Sequence, residues 1–118
     1  MPKILYSPAS PFAAKARMVA TYVGYTFTPV LTKTDEVPAE LIAANPLGKI
    51  PALVTDEGLG VFDSKVITQF LNRTSGGKAF PKNPAKRLDA EMLESLADGI
   101  GDCAIACVYE KRLRPEEK

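Results

Sequence analysis

The chain has 118 residues, 46% of them apolar, enough to close one core of ordinary size. Its 15 basic and 14 acidic side chains leave a net charge of +1, so neither a nucleic-acid footprint nor an anionic membrane surface is indicated. There is no histidine, which excludes a histidine-based triad or a histidine-ligated metal, and Cys103 and Cys107 alone make no disulfide framework.

Lys3-Ile4-Leu5-Tyr6 reads as a short buried strand. The loop Ser7-Pro8-Ala9-Ser10-Pro11 follows, in which Ser10 suits a helix N-cap and Pro11 a first helical position. The helix is expected to run to about Tyr22, with Ala14, Met18 and Tyr22 on one face and Gly24 as its stop. Tyr25 to Leu31 is rich in β-formers and predicts a second strand, with Pro29 marking an edge or a bulge. Pro38 to Ala44 predicts a short helix with proline near its start.

Asn45-Pro46 stops that helix, because the proline ring disfavours helical geometry at the residue before it. Gly48 permits a positive φ. Pro51 stands at the mouth of a third strand, Pro51 to Thr55, where it has no ladder hydrogen to give. There it can hold Ile50 extended, with N–H and C=O outward and unpaired, which suits capture of an extended peptide. A cis Ile50–Pro51 bond would do this most cleanly. An ordinary turn into a strand accounts for the same residues without a function.

Asp56-Glu57-Gly58-Leu59-Gly60 predicts a hairpin turn and Val61-Phe62 the start of a fourth strand. Asp63-Ser64 then caps a helix from about Lys65 to Arg73, with Val66, Ile67, Phe70 and Leu71 inward and Thr74-Ser75-Gly76-Gly77 ending it. The order β-α-β, linking helix, β-β-α implies an α/β fold: a mixed four-stranded sheet with one parallel pair and one antiparallel hairpin.

Phe80-Pro81-Lys82-Asn83-Pro84 is linker-like, with Asn83 as cap and Pro84 at the first position of a long helix reaching about Leu113 and ended by Arg114-Pro115. Leu88, Met92, Leu93, Leu96, Ile100, Cys103, Ala104, Cys107 and Val108 form its apolar stripe, and Gly99 and Gly101 weaken it locally. Such a stripe requires cover from the first domain, a second copy of the chain or further helices. Self-association is therefore expected. Cys103 and Cys107 share a helical face but are too few to hold a metal, and none is expected.

Three segments, in this order, resemble the glutathione transferase family. Ser7 to Arg17 resembles its first turn and helix, Asn45 to Leu53 its proline loop, and Phe62 to Ile67 the start of its third helix. The resemblance implies a thioredoxin-like glutathione-binding domain over residues 1–76, a linker over 77–83 and, over 84–118, the first helix of an otherwise missing all-helical domain. It implies glutathione as co-substrate, its thiol activated for attack on a hydrophobic electrophile that the sequence does not name. With half the family's length in hand, weak or absent catalysis is expected of this chain. A non-catalytic binding or scaffold module on the same fold is the alternative.

The ligand's chemistry then assigns residues. The Asp63-Ser64 helix start offers N–H donors and a positive dipole end to the γ-glutamyl carboxylate, with Asp63 meeting the ammonium; simple N-capping is the plainer account of the pair. Ile50, held by Pro51, would pair with the cysteinyl residue. Lys33 or Lys49 could meet the glycine carboxylate, although surface lysines are usually solvated. A free thiol titrates at about 8.5, so a hydroxyl donor is needed to hold the thiolate at neutral pH. Ser10 is the first candidate and Ser7 the second; Ser10 also serves as an N-cap, and both roles can coexist. Ser7 and Ser10 have Cys-x-x-Cys spacing without sulfur, so dithiol chemistry is excluded. The opening residues lack the apolar core of a secretory leader, and no run approaches the ~20 apolar residues of a membrane span. A reduced, cytoplasmic protein is expected.

Overall fold

The structure is a computed structural model and describes residues 1–113. The expected helix stop at Arg114-Pro115 lies outside them. Its contacts divide the chain into two compact units, Met1–Lys82 and Asn83–Lys118.

The first unit is built on a four-stranded sheet in the order β2-β1-β3-β4: β1 Lys3–Tyr6, β2 Thr28–Leu31, β3 Ala52–Val54 and β4 Gly60–Val61. β1 pairs parallel with β2 and antiparallel with β3, and β3 pairs antiparallel with β4. The helices are α1 Pro11–Tyr22, α2 Ala39–Ala44 and α3 Ser64–Thr74, with a single 3-10 turn at Thr34–Glu36. This is the mixed sheet that the element order implied, with Pro29 on an edge strand.

Alternation along the strands makes two cores. Ile4, Leu53 and Val61 pack with Ala16, Ala20, Ile67 and Leu71, from α1 and α3, on one face. Leu5 and Ala52 pack with Leu41 and Ala44 of α2 on the other. Ile4, Leu5, Ala52 and Leu53 of the two central strands are thereby kept dry on both faces, as a layered α/β unit requires, while the edge strand β2 stays mostly exposed.

The inward face of α1 differs from the expected one. Ala13, Ala16 and Ala20 are fully buried, whereas Met18 is 70% and Tyr22 77% exposed. Alanines let the helix backbone come close to the sheet and to α3; the bulkier residues are turned out. On α3, Ile67 and Leu71 are buried as expected, but Val66 is exposed and Phe70 only partly buried. Thr68 and Asn72 are buried instead, because they spend their polar atoms on backbone. Thr68 donates to the Lys65 carbonyl, and Asn72 Oδ1 accepts from the N–H groups of Ala79 and Phe80.

Three strand limits also move. β2 starts at Thr28 because Tyr25 N–H bonds back to the Ala20 carbonyl at 2.8 Å, closing α1. β3 stops at Val54 because Thr55 is engaged in the turn: its N–H donates to the Leu59 carbonyl and its hydroxyl accepts the Leu59 N–H. β4 ends at Val61, one residue before Phe62.

The second unit is α4, Pro84–Leu113. Asn83 caps it, its Oδ1 accepting the N–H groups of Ala85 and Lys86. Leu88, Met92, Leu93, Leu96 and Ile100 are exposed along it, as are Cys103 and Cys107. Among the described residues no helix is long and apolar enough to cross a membrane.

Candidate functional site

Strand register brings the candidate residues to one end of the sheet. Tyr6 lies opposite Leu31, Leu5 opposite Ala52, and Leu53 opposite Val61. The C-terminal ends of β1, β2 and β4 and the N-terminal end of β3 therefore share one rim. Four chain segments leave or enter there: the loop with Ser7 and Ser10, the turn with Lys33, the loop with Lys49, Ile50 and Pro51, and the helix start at Asp63 and Ser64.

The loop after β1 is fixed by its serines. Ser10 N–H donates to the Ser7 carbonyl at 3.1 Å, and the Ser10 hydroxyl, as N-cap of α1, accepts the Ala13 N–H at 3.1 Å. The Ser7 hydroxyl accepts the Ala9 N–H at 3.4 Å. Each hydroxyl keeps its own proton to give, since a serine oxygen accepts and donates at once. The Arg17 guanidinium lies over the Tyr6 ring, 4.1 Å from its centre, and ties the first turns of α1 to the end of β1.

The proline loop is held from within. Asn45, 2% exposed, accepts the Leu47 N–H on Oδ1 and donates from Nδ2 to the Lys49 carbonyl, both at 2.9 Å. Gly48 has φ +66°, and a Cβ there would meet Ile42. The Ile50–Pro51 peptide is cis, as is Phe62–Asp63. The Ile50 side chain packs toward the α2 core. Among the described residues no backbone hydrogen bond takes its N–H or its carbonyl. In the sequence Asn45 reads as a helix stop; the bond from the Leu47 N–H, two residues on, is one that an asparagine before a turn commonly accepts, whereas the donation to the Lys49 carbonyl has no such local signal.

The start of α3 is half occupied. Asp63, exposed, accepts the Lys65 N–H on Oδ1 at 3.2 Å, and its carbonyl accepts the Ile67 N–H at 2.9 Å. The N–H groups of Ser64 and Val66 have no partner among the described residues, so the positive helix end is open there. Ser64 itself is 5% exposed. Lys33 and Lys49 are both exposed.

A groove of about 310 Å³ opens between β2, the 3-10 turn and α2, lined by Val30, Lys33, Glu36, Pro38 and Glu40 among others. Of the candidate residues it includes only Lys33. The unpartnered backbone groups of Ile50, Ser64 and Val66 lie at the rim instead.

A mixed sheet between α1/α3 and α2, with Pro51 at the mouth of β3 and an open helix start after β4, is a thioredoxin-like domain of the transferase type. Residues 9–74 match the glutathione S-transferase N-terminal domain. The chain is 34% identical to the uncharacterised GST-like protein YibF of Escherichia coli over 92% of its own length and 54% of that protein's. It superposes at TM-score 0.86 on a Methylobacillus flagellatus glutathione S-transferase with glutathione bound, at 38% identity, covering 98% of this chain and 57% of that one. A glutathione transferase family member from Pseudomonas fluorescens, also with glutathione bound, gives TM-score 0.85 at 32% identity, covering 100% and 60%. The chain belongs to the glutathione S-transferase family, and it spans about half the length of these relatives.

Proposed function

We propose that this chain binds glutathione along the sheet rim. The tripeptide's cysteinyl residue pairs with the Ile50 N–H and carbonyl as a short antiparallel strand. Its γ-glutamyl carboxylate takes the Ser64 and Val66 N–H groups and the Ser64 hydroxyl at the α3 N-terminus, and Asp63 meets the ammonium. Lys33 or Lys49 meets the glycine carboxylate. The observation that carries this reading is the meeting, at one rim, of unpartnered Ile50 backbone groups and an open helix start. The two structural neighbours with bound glutathione support the same ligand.

The chemistry follows from the thiol. Its proton passes to solvent, and the Ser10 O–H donates to the thiolate so formed, each pKa unit of lowering being worth about 1.36 kcal/mol. The thiolate's electron pair then forms a carbon–sulfur bond to an electrophilic carbon, which either expels a leaving group with the electron pair of the broken bond or passes its π pair to a neighbouring atom that takes a proton from solvent. The positive end of α1 adds to this stabilisation, and Ser7 stands second to Ser10 as donor. The chain spans about half the length of its relatives, and the electrophile site and full turnover are proposed for the whole-length protein. The exposed apolar stripe of α4 favours self-association, and a cytoplasmic location suits the reduced thiol chemistry.

Calorimetric titration with glutathione tests the reading. Binding by the chain, lost in Asp63→Ala, supports it. No binding at millimolar glutathione contradicts it and favours a fold retained for protein contacts alone.

A further inference from the structure

We propose that Asn45 is a positioning residue for the bound tripeptide, setting the direction of the Ile50 N–H that receives it. This rests on the glutathione reading above.

Four hydrogen bonds converge on Asn45. Its backbone N–H donates to the Leu41 carbonyl at 2.7 Å and its carbonyl accepts the Gly48 N–H at 2.9 Å. Its side chain accepts from Leu47 and donates to Lys49, both at 2.9 Å. The side-chain assignment is fixed by its partners, an N–H facing Oδ1 and a carbonyl facing Nδ2. A buried amide so engaged forgoes little when removed from water, whereas one lost partner leaves a buried group unpaired.

The Lys49 carbonyl belongs to the same planar unit as the Ile50 N–H. That peptide is not among the cis bonds, so its carbonyl and N–H point in opposite directions. Drawing the carbonyl inward to Asn45 aims the Ile50 N–H the other way, and this N–H has no partner among the described residues. The clamp also has a fixed base. A Cβ on Gly60 would collide with the backbone of Ala44, so the residue before Asn45 is seated directly on β4. The loop is thus located from β4 through Ala44 and oriented by Asn45. Ligand pairing then requires little ordering of the loop, and avoided ordering appears as affinity.

Asn45→Asp keeps the shape, keeps the acceptor for Leu47 and removes the donor to Lys49. Glutathione titrations would compare wild type, Asn45→Asp and Leu71→Val, a core change away from the rim, well below each unfolding transition. There, lowered stability alone leaves the affinity of the folded chain unchanged. The expected result is Asn45→Asp binding glutathione about tenfold more weakly, as loss of one well-made hydrogen bond predicts, with Leu71→Val binding as wild type. Unchanged affinity in folded Asn45→Asp overturns the role of Asn45 and leaves the glutathione reading standing. Failure of the wild type to bind overturns that reading and this inference with it. A second measurement needs no variant: the Asn45 side-chain NH₂ should exchange slowly with solvent in wild-type NMR spectra. Exchange as fast as that of surface amides would remove the clamp and overturn the proposal.

Discussion

The Ser10 hydroxyl accepts the Ala13 N–H at 3.1 Å, so the first turn of α1 is capped by the side chain proposed to face the thiolate. The cap uses a lone pair; donation to sulfur uses the hydroxyl proton. The two roles are compatible in one geometry, and they separate in a variant. Ser10→Ala should lose about 1 kcal/mol of stability through the cap, read by thermal melting. It should also raise the thiol pKa of bound glutathione, read as loss of thiolate ultraviolet absorbance near neutral pH. Ser10→Thr should retain most of both. A destabilised Ser10→Ala with undiminished thiolate absorbance would leave Ser10 as a cap only.

Asp63 invites the same separation. Asp63→Asn keeps an acceptor for the Lys65 N–H but gives up the charge. Stability should change little, because asparagine and aspartate cap about equally well, while calorimetry should show glutathione affinity falling. Asp63→Ala should lose affinity and about 1 kcal/mol of stability together. Equal affinity in wild type and Asp63→Asn would detach the ligand's ammonium from this residue.

Gly60 has a steric assignment with a functional consequence. A Cβ at this position meets the Ala44 carbonyl, carbonyl carbon and Cα, all backbone atoms with nowhere to go. Gly60→Ala should cost about 1–3 kcal/mol, the range for overpacking, in chemical denaturation. By moving the start of the Asn45 loop it should also weaken glutathione binding. A Gly60→Ala chain as stable as wild type would show that α2 and β4 are not seated as described.

Tyr25 gives a pH dependence. Burial first, and then the charges of Asp56 and Glu57, raise its hydroxyl pKa above the ordinary 10.0. The folded chain therefore holds the proton more tightly than the unfolded one. The associated stability is present below the unfolded pKa and is lost as pH rises through the folded one. Stability should thus decline above about pH 10. Tyr25→Phe, which retains a ring to meet Phe70 edge-on, should flatten that decline. An identical alkaline slope in both chains would remove Tyr25 as its source.

How far the sequence could be read follows from where its signals are local. Ser10-Pro11 and Asn83-Pro84 mark α1 and α4 correctly because a cap and a first-position proline act within one turn. The α1 face was misread because nearly every residue of that helix is apolar or small, so periodicity had little contrast; close approach to the sheet then selected Ala13, Ala16 and Ala20 over Met18 and Tyr22. Asn72 was out of reach because its partners, Ala79 and Phe80, lie beyond the end of its own helix. At the rim, Ser7, Ser10, Asp63 and Ser64 were visible as loop or cap residues and Pro51 as a strand-mouth residue, but their placement on one rim depends on register between strands far apart in the chain. The Asn45 clamp depends on the folded path of its loop, and spacing alone does not fix that path.

Glutathione is proposed to lie on the rim between Ile50 and the start of α3, and backbone amide NMR during a glutathione titration would locate it. The largest shifts are expected at the amides of Ile50, Ser64 and Val66, with smaller ones around Ser10. Shifts confined to the groove by Lys33, Glu36 and Glu40, or none at all, would contradict this placement.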